Sequence, residues 1–181
     1  MTENTQNKPF RLDEAIPVWE ATPAVLRSLL AHLPGERLDF QEDADAWSLR
    51  TVLVHCIHSE RTNWIPRARV VLSPGEVRAF APFQQLPASG EIDDSDVAGM
   101  LAEFAATRQD SLAILRGFDL EPGDYQRTAE HPVLGTVTLA QLLATWVVHD
   151  LNHLHQMLTS MAKFHSAAVG PWRQYLGILD L

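Results

Sequence analysis

Thr138-Leu139-Ala140-Gln141-Leu142-Leu143-Ala144-Thr145-Trp146-Val147-Val148-His149-Asp150-Leu151-Asn152-His153 opens the strongest helical pattern in the chain. Thr138 is an N-cap, with Gln141 three residues on as its capping-box partner. Leu139, Leu142, Leu143, Trp146, Val147, Leu151, Leu154, Leu158 and Met161 then spread apolar surface over much of the girth, so the helix is expected to lie centrally and to end near Phe164. Inside it, His149 and His153 stand four residues apart, stacked one turn above the other. Imidazoles placed that way converge on one metal ion or form an ordinary packed pair, and a third ligand decides between the two readings. A buried imidazole without a partner costs about 1–3 kcal/mol. Trp146, Asn152 and Gln156 share this face, which serves as a pocket floor as readily as a packing surface.

Outward from this helix the chain divides into further helical stretches. Thr22-Pro23 reads as a helix start, followed by Leu26, Leu29, Leu30 and Leu33 and a stop at Pro34-Gly35. Residues 12–19 add a turn or two before it. Ser48 caps a second helix with Leu49, Val52, Leu53, Cys56 and Ile57 inward, running through Trp64 to a kink at Pro66 and a continuation to about Leu72. From Val71 to about Ile92 there is no helical period, and a connection this long reads as a crossover along a bundle. A third helix follows from about Ser95 to Gly117, with Val97, Leu101, Phe104, Ala105, Leu112 and Leu115 inward. Residues 131–137 read as a small extended excursion, and Gly170-Pro171-Trp172-Arg173 as a short terminal helix or turn.

Four principal helices without a convincing strand predict an all-α four-helix bundle, up-down-down-up, with the long crossover between helices two and three. Residues 1–10 read as a flexible tail and 11–181 as a single domain. Of 181 residues, 46% are hydrophobic and 20% charged, as in ordinary globular proteins. The 14 Lys+Arg against 23 Asp+Glu give a net charge of −9, which repels phosphate backbones and anionic membranes, so no nucleic-acid or membrane partner is expected. One cysteine, Cys56, excludes an intramolecular disulfide and zinc sites built on cysteine pairs. No secretory signal or membrane span is apparent, and a cytoplasmic protein is expected.

A third ligand is available in Thr51-Val52-Leu53-Val54-His55-Cys56-Ile57-His58-Ser59-Glu60, in the second helix. His55 sits in an apolar setting, and His58, one turn on, competes with it. Three protein ligands with one open position is the pattern of a catalytic metal site. Glu60 and Asp150 are the candidate bases or supporting carboxylates, while Gln156, Asn152 and Trp146 are the candidates for holding substrate or cofactor. Trp64 and Trp172 read as core or pocket wall. Arg67, Arg69 and Arg173 stay open between binding a carboxylate and forming surface ion pairs.

Trp47-Ser48 leading to His55 and Glu60, Glu60-Arg61-Thr62-Asn63-Trp64-Ile65-Pro66-Arg67, His131-Pro132 with Gly135-Thr136-Val137-Thr138-Leu139, Trp146 through His153, and Gly170-Pro171-Trp172-Arg173 together resemble the DinB-like superfamily. The likeness runs from about residue 12 to the end. It implies a four-helix bundle, a metal held by three histidines and a homodimer. Matched onto this chain, the metal ligands are His55, His149 and His153. Related proteins include bacillithiol transferases and mycothiol-dependent maleylpyruvate isomerases, which implies a divalent metal activating a low-molecular-weight thiol toward a small-molecule substrate. Three imidazoles suit several ions, with zinc and nickel ahead of iron and manganese. The expected function is therefore thiol transfer at the three-histidine site. Metal-dependent hydrolysis, and a non-catalytic stress-related dimer with a structural metal, are the alternatives.

Overall fold

The computed structural model describes residues 8–75 and 78–180. Seven α-helices are present among them: α1 (Leu12–Leu30), α2 (Gly35–Leu38), α3 (Leu49–Thr62), α4 (Trp64–Leu72), α5 (Val97–Gly117), α6 (Leu139–Phe164) and α7 (Ser166–Val169). The bundle consists of α1, the broken α3/α4 rod, α5 and α6. Arg50 of α3 reaches the Asp94 carbonyl ahead of α5, and Glu60 bonds Arg108 further along, so α3 and α5 run parallel. Trp19 meets Trp146 and Arg116 pairs with Glu20, which sets α1 parallel to α6 and antiparallel to α5. This is the expected up-down-down-up order, and residues 73–96 form the crossover.

Helix α6 begins as read, with both halves of the capping box formed by Thr138 and Gln141. Helix α1 differs from expectation, running unbroken through Pro17 and Pro23. Thr22 is no cap, and its hydroxyl donates instead to the Val18 carbonyl at 2.9 Å. Pro23 lacks the N–H that would bond the Trp19 carbonyl, and the Arg108 guanidinium donates to that oxygen at 3.0 Å. A partner from another helix thus satisfies what the proline leaves open.

The expected kink at Pro66 falls at Asn63, between α3 and α4. Proline clashes with the turn before it, so the backbone yields one turn earlier. The single turn α2 follows the stop at Pro34, with Leu38 buried. The extended excursion is a hairpin of β1 (Thr128–His131) and β2 (Gly135–Thr138), paired from Thr128↔Thr138 to His131↔Gly135. Gly135 sits at φ 73°, a conformation glycine adopts without strain. The crossover docks on this hairpin, Phe80 N–H donating to Glu130 O at 2.8 Å. Residues 1–7 of the expected tail lie outside the described residues. Phe10, within that stretch, packs on Tyr125 with ring centroids 6.1 Å apart. Trp172 is 71% exposed, contrary to its reading as core or pocket wall, because the terminal turns leave it on the surface.

The core forms two apolar clusters. One gathers Trp19, Trp64, Val71, Leu115, Leu139 and Trp146, and the other Leu26, Leu30, Leu53, Ile57, Phe104 and Met157. Between them lies a buried polar layer contributed by α3, α5 and α6. None of the helices in the described residues is long and apolar enough to cross a membrane.

Candidate metal centre

The polar layer has two parts. In the first, Arg108 is 2% exposed and all five of its N–H donors are used. Its Nε and Nη2 donate to Glu60 at 3.0 Å each, its Nη1 and Nη2 to Asp150 at 2.6 and 3.0 Å, and Nη1 also to the Trp19 carbonyl at 3.0 Å. Burial works to lower the Arg108 pKa, but Glu60 and Asp150 outweigh it and hold the pKa above its ordinary value. Burial tends to raise the Asp150 pKa, while His149 and Arg108 keep it below the usual carboxylate range. Glu60 goes the other way, because burial there exceeds the pull of Arg108.

In the second part, His55, His149 and His153 each turn one ring nitrogen inward, and the three potential ligand atoms lie within 4.8 Å of one another. His55 comes from α3, about two turns after its Ser48 cap, and the other two from successive turns of α6. The Nε2 atoms of His55 and His149 are 2.9 Å apart. His55 Nδ1–H donates to the Gln85 carbonyl at 2.6 Å, and His153 Nδ1–H to Gln156 Oε1 at 2.8 Å. These bonds put the ring protons outward and leave the Nε2 lone pairs facing the cluster. Burial lowers the pKa of both histidines, that of His153 to about 4, so both rings are neutral at neutral pH, the form that ligates metal.

The donor set fits a divalent cation. Lone pairs directed at one another across 2.9 Å repel unless a proton or cation lies between them. His149 Nδ1 is buried without a hydrogen-bond partner, and Asp150 Oδ1 stands 4.0 Å away on the side of that nitrogen. Two carboxylates around one guanidinium add a negative potential beside the rings, which also favours a cation.

The structure brings His55, not His58, to the α6 pair. His58 stacks on Phe83 with centroids 5.5 Å apart and lines a separate groove. Glu60 and Asp150 lie in the Arg108 network, where they bind the guanidinium instead of facing open space. Gln156 orients His153. Trp146 is fully buried between Trp19 and Trp64, with ring centroids 4.4 and 5.8 Å away. Asn152 is exposed, off the cluster. Trp64 is buried with its ring 4.9 Å from that of His149, and Trp47 stands 5.0 Å from His55. Burial drives the Cys56 thiol pKa far up, so it is a packed thiol and not a metal thiolate. Arg173 donates to the Leu179 carbonyl and to Asp180 near the C-terminus, away from the site.

Arg108 escaped the sequence reading, although a signal was present. It lies four residues after Phe104 and four before Leu112, on the inward stripe of α5, and a charge at a core position requires buried partners. Gln85 had no signal, since it acts through its backbone carbonyl from an irregular loop.

Fold and site together define a class: a non-sequential four-helix bundle with three imidazoles converging at its centre. The DinB superfamily model matches residues 19–157, and the chain belongs to that superfamily. It is 25% identical over 158 residues to a protein of Oceanobacillus iheyensis whose name marks it provisionally as a metal-dependent hydrolase, covering 84% of this chain and 86% of that one. The solved structure of YfiT from Bacillus subtilis, described as a probable metal-dependent hydrolase with an unusual four-helix bundle topology, superposes with a TM-score of 0.73. It covers 90% of this chain and 94% of its own at 23% identity, a likeness that establishes the shared fold.

Proposed function

We propose that this protein is a metal-dependent enzyme in which His55, His149 and His153 hold one divalent cation and a low-molecular-weight thiol is activated for transfer to an electrophilic small molecule. The observation that carries this reading is the convergence of three imidazoles, two of them fixed with their lone pairs inward. A divalent cation on three imidazoles keeps a coordination position open and lowers the pKa of a thiol or water placed there.

The protein's own groups supply orientation. Gln85 and Gln156 fix two rings, and Asp150, itself anchored by Arg108, lies on the Nδ1 side of His149. No carboxylate among the described residues joins the cluster, and the two that lie beside it, Glu60 and Asp150, are held by Arg108. A thiol, with an unperturbed pKa of about 8.5, needs far less help to ionise than water at about 15.7. That contrast favours thiol chemistry. Hydrolysis is the second reading, supported by the names of the Oceanobacillus and Bacillus relatives.

Assays of the zinc- and nickel-loaded protein with model electrophiles, with and without added thiol, separate the two. Turnover that requires both metal and thiol is expected. Ester or amide cleavage indifferent to thiol would establish the second reading instead. A homodimer completes the proposal, supported by Val148, Leu151 and Leu158, which are 62%, 50% and 41% exposed along α6. Sedimentation of the wild type tests it, with a monomer as the contrary result.

A further inference from the structure

Two polar ladders run through the bundle. His55, Ser59, Asn63 and Arg67 follow one another at four-residue steps along α3 and α4. The helical bonding persists across the break, Asn63 N–H donating to Ser59 O at 2.9 Å and Arg67 N–H to Asn63 O at 3.0 Å. Gln141, Thr145, His149 and His153 follow at the same steps along α6. The ladders are antiparallel. Their histidines meet at one end, while at the other Asn63, Arg67, Gln141 and Thr145 line one cavity of about 130 Å³. Trp64 lines the cavity, and its ring centroid lies 4.9 Å from that of His149.

The contents of this cavity are those of an anion site. Among the described residues no carboxylate lies within 4.0 Å of Arg67, whose guanidinium carbon sits 4.8 Å from the Phe80 ring centroid. Its hydrogen bond to protein is a long one, 3.4 Å to the Ala81 carbonyl. Burial lowers its pKa and no acid offsets that, in contrast to Arg108. His131, on the same wall, accepts the Val133 and Leu134 N–H groups at Nδ1, both at 3.2 Å, so its proton resides on Nε2 as a donor. Asn63 Oδ1 is buried with no partner, and a half-turn of the amide about its terminal bond presents the Nδ2 donor at that position instead. Phe80, Val137 and Leu142 supply apolar walls, which strengthen an ionic contact by excluding water.

We propose that this cavity binds a carboxylate of the substrate, Arg67 pairing with it and His131 and Asn63 adding neutral hydrogen bonds. The assignment rests on the reaction proposed for the three-histidine site and names its substrate class: carboxylic acids whose reacting group lies one to two helical turns, about 6–12 Å, from the carboxylate. One guanidinium fork offers two parallel donors and one charge, which match a planar monoanion better than a phosphate dianion. With a chain charge of −9, a local cation is needed to hold such a substrate.

Titration of benzoate and benzamide into chelator-treated wild type and into His149→Ala, followed by amide NMR, tests this without metal chemistry. Benzoate is expected to bind about 10- to 100-fold tighter than benzamide in both proteins, with shifts centred on Asn63, Arg67 and His131. Arg67→Met should erase the preference and Arg67→Lys reduce it, each checked for a wild-type-like spectrum. Equal binding of the two probes, a preference that survives Arg67→Met, or tighter binding of phenylphosphonate than benzoate would overturn the assignment. Zinc titration of the same wild type separates the two proposals. Absent zinc binding with the benzoate preference intact defeats only the metal reading, and the converse defeats only the carboxylate site.

Discussion

The Arg108 network and the three-histidine cluster lie side by side at the centre of the bundle, both buried and both polar, and they differ in how far their hydrogen bonding is completed. Around Arg108 all five donors have acceptors, drawn from α1, α3 and α6, and nothing is left to bind a ligand. Around the histidines, ring nitrogens face one another and His149 Nδ1 has no partner. Saturated polarity ties helices together. Convergent, unsaturated polarity presents a set of donors to something not made of protein. By the same contrast Arg108, bound on every side, is structural, and Arg67, bound on almost none, is offered to a ligand.

Removing a partner from the saturated region should have the larger effect on stability. Arg108→Met leaves two buried carboxylates without their cation, and a loss of about 3–5 kcal/mol is expected in urea unfolding. Adding Glu60→Met should recover part of that loss, because one unpaired charge is then gone. A single variant within about 0.5 kcal/mol of wild type would break the distinction between the two regions. A smaller and different effect is expected from Gln156→Ala. His153 loses the acceptor that fixes its ring, so metal affinity should fall about 10- to 100-fold while urea stability of the metal-free protein stays within about 0.5 kcal/mol. Unchanged affinity in competition with a chelating dye would show that Gln156 does not position the ring.

Much of this arrangement was legible in the chain. Periodicity located the bundle helices, and the Thr138–Gln141 capping box marked the start of α6. The i, i+4 spacing of His149 and His153 marked the α6 pair, and the family resemblance chose His55 over His58 as the residue that meets it. The ends and breaks of helices were less legible where long-range partners decide them. Thr22-Pro23 has every local mark of a helix start, yet Arg108 satisfies the carbonyl that Pro23 leaves open and the helix continues. Glu60 and Asp150 have the residue type of bases, but only the fold shows that a guanidinium from α5 occupies them. The position of Gln85 depends on how the crossover loop settles, which no periodic pattern records.

The central claim is that His55, His149 and His153 form one metal site. It is tested most directly by metal analysis of the wild type and His149→Ala after saturation with zinc and gel filtration. The account predicts one equivalent of metal per chain in the wild type and almost none in the variant, with both proteins folded by circular dichroism. A wild type without bound metal, or a variant that keeps its full equivalent, would contradict it.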